Sequence, residues 1–180
     1  MLARTICFAL QGVDGRPVTV ETDVSGGLYN WAMVGLPDTA VRESKDRVSS
    51  ALRNSGYAMP AGKVTVNLSP ADVRKEGAAF DLSIAVSIVA ASRQAAMPNL
   101  ERVLLLGELG LDGSLNPVRG VLSMVIAARQ AGLESVVLPA GNAPEAQSLT
   151  GMLIYPARNL SEVIDHLSGK AQLSAQIKTS

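Results

Sequence analysis

A single cysteine, Cys7, and a single histidine, His166, occur in these 180 residues. One thiol excludes an internal disulfide and suits a reducing compartment. A four-ligand zinc site would have to combine those two residues with carboxylates, and no ligand spacing supports it. Aromatic residues are scarce at 3%, against 47% hydrophobic residues overall. The core must therefore be built from Ala, Val, Leu and Ile, which favours alternating helices and strands over a β-sandwich. Neither sign of charge dominates, with 16 cations against 16 anions. No global basic field draws in nucleic acid, and any such contact has to come from a local patch. Long apolar runs are missing too. The longest, Phe80 to Ala91, is about half of what a bilayer-spanning helix needs and contains Asp81. The run Ile6 to Leu10 is too short for a signal-peptide core. A cytoplasmic protein is expected.

The length suits one compact domain. TICFAL (5–10) and PVTVETDV (17–24) alternate in the strand period and flank an Asp14-Gly15 turn pair, so the chain should open with a hairpin. A third strand is expected at about Tyr29 to Val34. Leu36-Pro37-Asp38 then starts a helix that ends at Gly56, with Val41, Val48, Ala51 and Leu52 as its inner stripe. KVTVNL (63–68) reads as a strand, RKEG as a loop, and 79–92 as a helix apolar nearly all round and hence buried on most sides. A strand over 103–109, a helix from Gly120 to Gly132, a strand at SVVLP, a short helix near 143–149, a strand at MLIYP and a last helix from Leu160 follow. Asn159 with Glu162 forms a capping-box-like start for that last helix. The tail 171–180 is polar and aperiodic, and reads as a linker stub or a frayed end.

The stretch RKEGAAFDLSIA (74–85) places the step from loop to helix near its alanines. Helix N-termini leave backbone N–H groups unpaired and favour negative charge, a common setting for a nucleophile or a phosphate. Ala78 and Ala79 offer no reactive group. Ser69, Ser83 and Ser87 have no base at a fixed spacing, and no G-x-S-x-G elbow occurs. The P-loop pattern is absent, so no nucleotide site is expected in this chain. Glu76, Asp81 and Glu108 could be drawn together as a metal-binding cluster. The plainer expectation is that Asp81 caps its helix or pairs with Arg74 or Lys75.

Three segments carry a resemblance: YNWAMVGLPDTAVRESKDRVSSALRNSG (29–56), KVTVNLSPADVRKEGAAFDLSIAV (63–86) and LLGELGLDGSLNPVRGV (105–121). Together they resemble the N-terminal domain of the ComM/YifB family, the magnesium-chelatase-like AAA+ proteins of bacteria, over about residues 1–170. The resemblance implies an α/β domain of the ribosomal-protein-S-five domain-two type, similar to the proteolytic domain of Lon, with a mixed sheet packed with helices. It also implies an ATPase domain beyond this chain, which would hold ATP and Mg, within a homo-hexamer that drives DNA branch migration in natural transformation. Lon-type peptidases use a serine activated by a lysine. The similar positions here are Ala79 and Leu122, so the resemblance implies a loop that keeps an active-site shape without its chemistry, with no catalytic, cofactor or metal residues in this chain.

Arg42, Lys45, Arg47, Arg53, Lys63, Arg74 and Lys75 fall within one short region and could form a phosphate-binding face. Arg42 with Asp46 and Glu43 with Arg47 have the i,i+4 spacing of ordinary helix-surface pairs. That leaves Lys45, Arg53, Lys63, Arg74 and Lys75 as candidate DNA contacts, with only Tyr29, Trp31 and Tyr57 available for stacking. Two readings stand at this point. The domain is a non-catalytic module of a DNA branch-migration motor that organises subunits and touches DNA, or it is a structural or partner-docking domain of a chelatase-like ATPase without DNA contact.

Overall fold

Alternation in the strand period, broken where Cys7, Phe8 and Ala9 are all buried, builds the first two strands in the computed structural model, which describes residues 1–176. β1 (Leu2–Gln11) and β2 (Asp14–Ser25) are antiparallel along their whole length, from Leu2 opposite Asp23 to Gln11 opposite Asp14. The hairpin is as expected, but its turn is Gly12-Val13, and Asp14-Gly15 lies inside β2. Gly15 answers to packing instead. A Cβ there would stand 2.9 Å from the Cβ of Ala127, on the helix over Val121–Gln130.

β3 (Asn30–Val34) pairs in parallel with β4 (Lys63–Ser69), which runs antiparallel to β2. Between β3 and β4 the single expected helix is two, α1 (Thr39–Arg42) and α2 (Ser44–Asn54). The Glu43 N–H still reaches Thr39 O, but the Asp46 N–H turns to Glu43 O, and this tighter turn interrupts the ladder. Asp38 caps α1 by accepting from the Val41 N–H at 2.8 Å.

The helix expected over 79–92 is α3 (Asp81–Ala91), and every residue of it is buried. It lies against β1 and β2 and meets α2. A nearly all-apolar helix leaves few groups to fix its depth, and its two serines do so. Ser83 Oγ donates to Leu105 O at 3.0 Å, Thr5 Oγ1 donates to Ser83 O at 2.9 Å, and the Ser87 and Thr22 hydroxyls meet at 2.7 Å.

The strand expected over 103–109 divides. β5 (Val103–Leu105) joins the large sheet, while β6 (Glu108–Leu109) pairs with β7 (Leu115–Asn116) in a separate ribbon. The cause is the start of α3. The Gly107 N–H donates to Ala79 O and Gly107 O accepts from the Leu82 N–H, so the backbone that would have continued the strand is held by the helix entrance.

The chain continues through α4 (Val121–Gln130), β8 (Ser135–Pro139), α5 (Ala143–Ala146), β9 (Leu153–Ala157) and α6 (Leu160–Ser168). The seven-stranded sheet has the order β3-β4-β2-β1-β5-β8-β9. Strand alternation puts Thr5, Cys7 and Val20 on the face under α3 and Phe8 and Gly15 on the opposite face under α4. The N-cap half of the capping box forms, with the Glu162 N–H donating to Asn159 Oδ1 at 2.9 Å, while the Glu162 carboxylate accepts from the Arg158 N–H, one residue before the cap.

The tail departs from expectation. Up to Gln176 it is docked rather than frayed, with the Leu173 N–H donating to His166 Nδ1 at 3.0 Å and the Gln176 N–H to Ile154 O at 2.7 Å. The remainder of that tail, 177–180, lies outside the described residues. Among the described residues no helix is long and apolar enough to cross a membrane.

Candidate functional site

The loop before α3 is fastened to a strap over residues 35–38. The Lys75 N–H donates to Leu36 O at 3.0 Å and the Asp38 N–H to Lys75 O at 2.9 Å, while Asp38 Oδ2 accepts from the Gly77 N–H at 3.2 Å. The strap has to pass close to β4. A Cβ on Gly35 would stand 2.0 Å from Leu68 O, so no other residue fits there. This pairing turns Lys75 inward. It is fully buried, and its Nζ donates to Pro70 O. Burial pushes its pKa down, against the pull of Asp72.

Beside the loop lies a cleft of about 480 Å³ whose walls include Phe8, Ala79 and Met124 and whose charged groups are Asp38, Glu76, Glu108 and Arg119. Ala79 lines it. Leu122, the other position matched to the Lon dyad, is 41% exposed and is not part of the cleft wall. Cys7 sits behind it with Sγ 3.8 Å from Ala79 O, and burial pushes its thiol pKa up to about 12, so no thiolate is available at neutral pH. Ser83 and Ser87 are spent in the packing of α3, and His166 is engaged at the far end with the tail and with the Tyr155 ring, 4.4 Å away.

Asp81 pairs with neither Arg74 nor Lys75. It is completely buried and receives the Arg47 fork, Nε to Oδ2 at 2.6 Å and Nη2 to Oδ1 at 2.9 Å, together with the Leu109 N–H at 3.0 Å. Burial pushes the Asp81 carboxyl up against the pull of these donors, and the hydrogen bond to Asp81 in turn raises Arg47. The three carboxylates do not act as one cluster, because Asp81 is enclosed while Glu76 and Glu108 line the cleft. Arg47 was legible only as a helix-surface partner of Glu43, at 3.8 Å here. Its stronger partner lies 34 residues away, a separation that no local pattern signals.

The five candidate cations do not share one face. Lys75 is buried. Arg74 is exposed but pairs with Glu76 at 3.0 Å. Lys45 Nζ stands 5.3 Å from the centroid of the Tyr29 ring, and Lys63 lies opposite Asn30, the next residue, so both belong to the region at the start of β3. Arg74 adjoins Lys75, which bridges to Pro37 beyond the other end of that strand, roughly 17 Å along it. Arg53 is exposed at the last turn of α2, about 12 Å along the helix from Lys45. Arg42 donates to Pro37 O rather than pairing with Asp46.

Known proteins share this frame. The family model described as subunit ChlI of Mg-chelatase matches residues 20–142. The chain is 44% identical to YifB of Salmonella typhimurium over 165 residues, 92% of the chain and 32% of that protein. It is 40% identical to competence protein ComM of Haemophilus influenzae over 172 residues, 96% of the chain and 34% of that protein. The chain belongs to the magnesium-chelatase-like ComM/YifB family. The ComM/YifB family is one of AAA+ ATPases, and this chain corresponds to its N-terminal domain, spanning about a third of the relatives it matches. The α/β fold of this ComM/YifB domain is Lon-like: Lon protease 2 of Thermus thermophilus is 26% identical over 165 residues, 85% of the chain and 20% of that protein.

Proposed function

We propose that this domain is the non-catalytic N-terminal part of a hexameric AAA+ motor that drives DNA branch migration in natural transformation and homologous recombination. In it the domain organises subunits and meets DNA through local cations, while ATP and Mg belong to the ATPase domain. The observation that carries the reading is the 40% identity to a competence protein across 96% of the chain. Ala79 supports it, since a methyl group stands on the cleft wall where the Lon resemblance places the nucleophile. A second reading, a structural or partner-docking domain of a magnesium-chelatase-like ATPase without DNA contact, is favoured by the burial of Lys75 and the scatter of the other cations.

Titration of the domain with labelled duplex and single-stranded DNA at stepped salt separates the two. Under the first reading binding falls steeply with salt, and Lys45→Ala with Lys63→Ala weakens it for all sequences alike. No binding at low salt would favour the second. Both readings expect no peptide or ATP turnover by the pure domain, and turnover abolished by a point change in this chain would overturn them.

A further inference from the structure

α3 ends in a Schellman turn whose third residue breaks the usual rule. The Arg93 N–H donates to Ala90 O at 3.1 Å and the Gln94 N–H to Val89 O at 3.0 Å, which puts Arg93 in the position that favours glycine. Its φ is +62°, in the left-handed region that side chains seldom occupy. The corresponding positions after α2 and α4 are Gly56 and Gly132, with φ of +85° and +90°. The helix makes no use of the Arg93 side chain. Ile88 O already accepts from the Ser92 N–H and Oγ, and among the described residues the guanidinium has no hydrogen bond or ion pair. A strained position whose exposed side chain contributes nothing to its own element points to a use elsewhere.

Arg93 stands on a groove of about 560 Å³ that Arg102, from the turn before β5, also lines, with Met97 and Leu100 as apolar lining. Arg4 borders it from β1, but strand alternation turns its side chain to the opposite face of the sheet, toward Glu21. Glu101 is the one acid lining it. Arg4 is tied to Glu21 at 2.8 Å and Arg102 to Glu134 at 3.6 Å, with the Arg102 and Glu134 side chains both about two-thirds exposed. The exposed Arg102–Glu134 pair holds weakly and exchanges readily for a better anion. The unpaired Arg93 and the weakly paired Arg102, brought from two separate segments to one concave surface, suit phosphate, which their planar forks match in geometry.

We infer that this groove binds phosphate groups of a DNA backbone, with Arg93 as the leading contact. The inference rests on the DNA reading above and places the contact where none of the five sequence-selected cations lies.

The decisive variant is Arg93→Gly, because it moves stability and binding in opposite directions. Glycine relieves the left-handed backbone, so Tm rises by about 2–4 °C, while affinity for a fluorescein-labelled oligonucleotide drops about three- to tenfold and the salt slope shrinks by about one phosphate contact. Arg93→Lys, which keeps the charge and the strain but not the planar fork, restores part of the affinity at the original Tm. Inorganic phosphate and a free nucleoside triphosphate compete only weakly if a polynucleotide is the ligand. Equal competition by either overturns the DNA assignment in favour of a small phosphate site, and equal competition by polyglutamate overturns phosphate recognition. A higher Tm with unchanged DNA affinity overturns the groove assignment. If Lys45→Ala with Lys63→Ala then abolishes binding, the DNA reading stands and only this inference falls. Absence of DNA binding by the unmodified domain removes both.

Discussion

Asp81 and Arg47 form the most buried ion pair among the described residues. The carboxylate has no exposed surface, and the guanidinium side chain is only 18% exposed, so both charges are largely withdrawn from water. Removing one partner leaves the other uncompensated, which costs about 3–5 kcal/mol. Arg47→Leu should therefore lower the stability read from urea unfolding by that amount, with Asp81→Asn losing less because the amide still meets Leu109. A change below about 1 kcal/mol for Arg47→Leu would mean that water or another donor reaches Asp81. Lys75 gives the second test at this scale. Truncating it to Ala strips a buried stem and removes one of the two donors to Pro70 O, leaving only the Val73 N–H at 3.4 Å, a loss of about 1–3 kcal/mol. Arg74→Ala, next to it in sequence but exposed, should stay within about 0.5 kcal/mol. Equal effects for the two neighbours would contradict the inward turn of Lys75.

At the scale of elements, the attachment of the docked tail depends on pH. The Leu173 N–H donates to His166 Nδ1, which requires a lone pair there and hence a neutral ring. Burial pushes the His166 pKa down from its ordinary 6.5. The undocked or unfolded chain then binds the proton more readily than the docked one, so this stability is complete above the ordinary value and is lost as the pH falls below it. Hydrogen exchange of the Leu173 and Gln176 amides, corrected for intrinsic rate, should show protection falling between about pH 7.5 and pH 5.5. His166→Leu should abolish that dependence. Protection independent of pH in the unmodified chain would show that Gln176 and its contacts hold the tail without the imidazole. The splitting of the expected 103–109 strand is also an event at this scale, since Gly107 serves the entrance of α3 with both its N–H and its C=O.

The molecule as a whole is neutral, so its contacts with charged partners depend on where the tertiary fold gathers its cations. Composition and periodicity were enough for the α/β class, the order of helices and strands, the buried α3 and the cap of α6, because each follows from residues within a few positions of one another. The absence of a reactive group at Ala79 was equally legible, being a matter of residue identity. The departure of Gly107 from the sheet, the pairing of Asp81 with Arg47, the inward turn of Lys75 and the groove around Arg93 were decided by the tertiary structure alone. Each depends on groups far apart in the chain that meet only once it has folded. Local pattern carries no information about which distant donor will be there. A cation that looks free in sequence is therefore buried, and one that looked unremarkable in sequence stands on the basic groove.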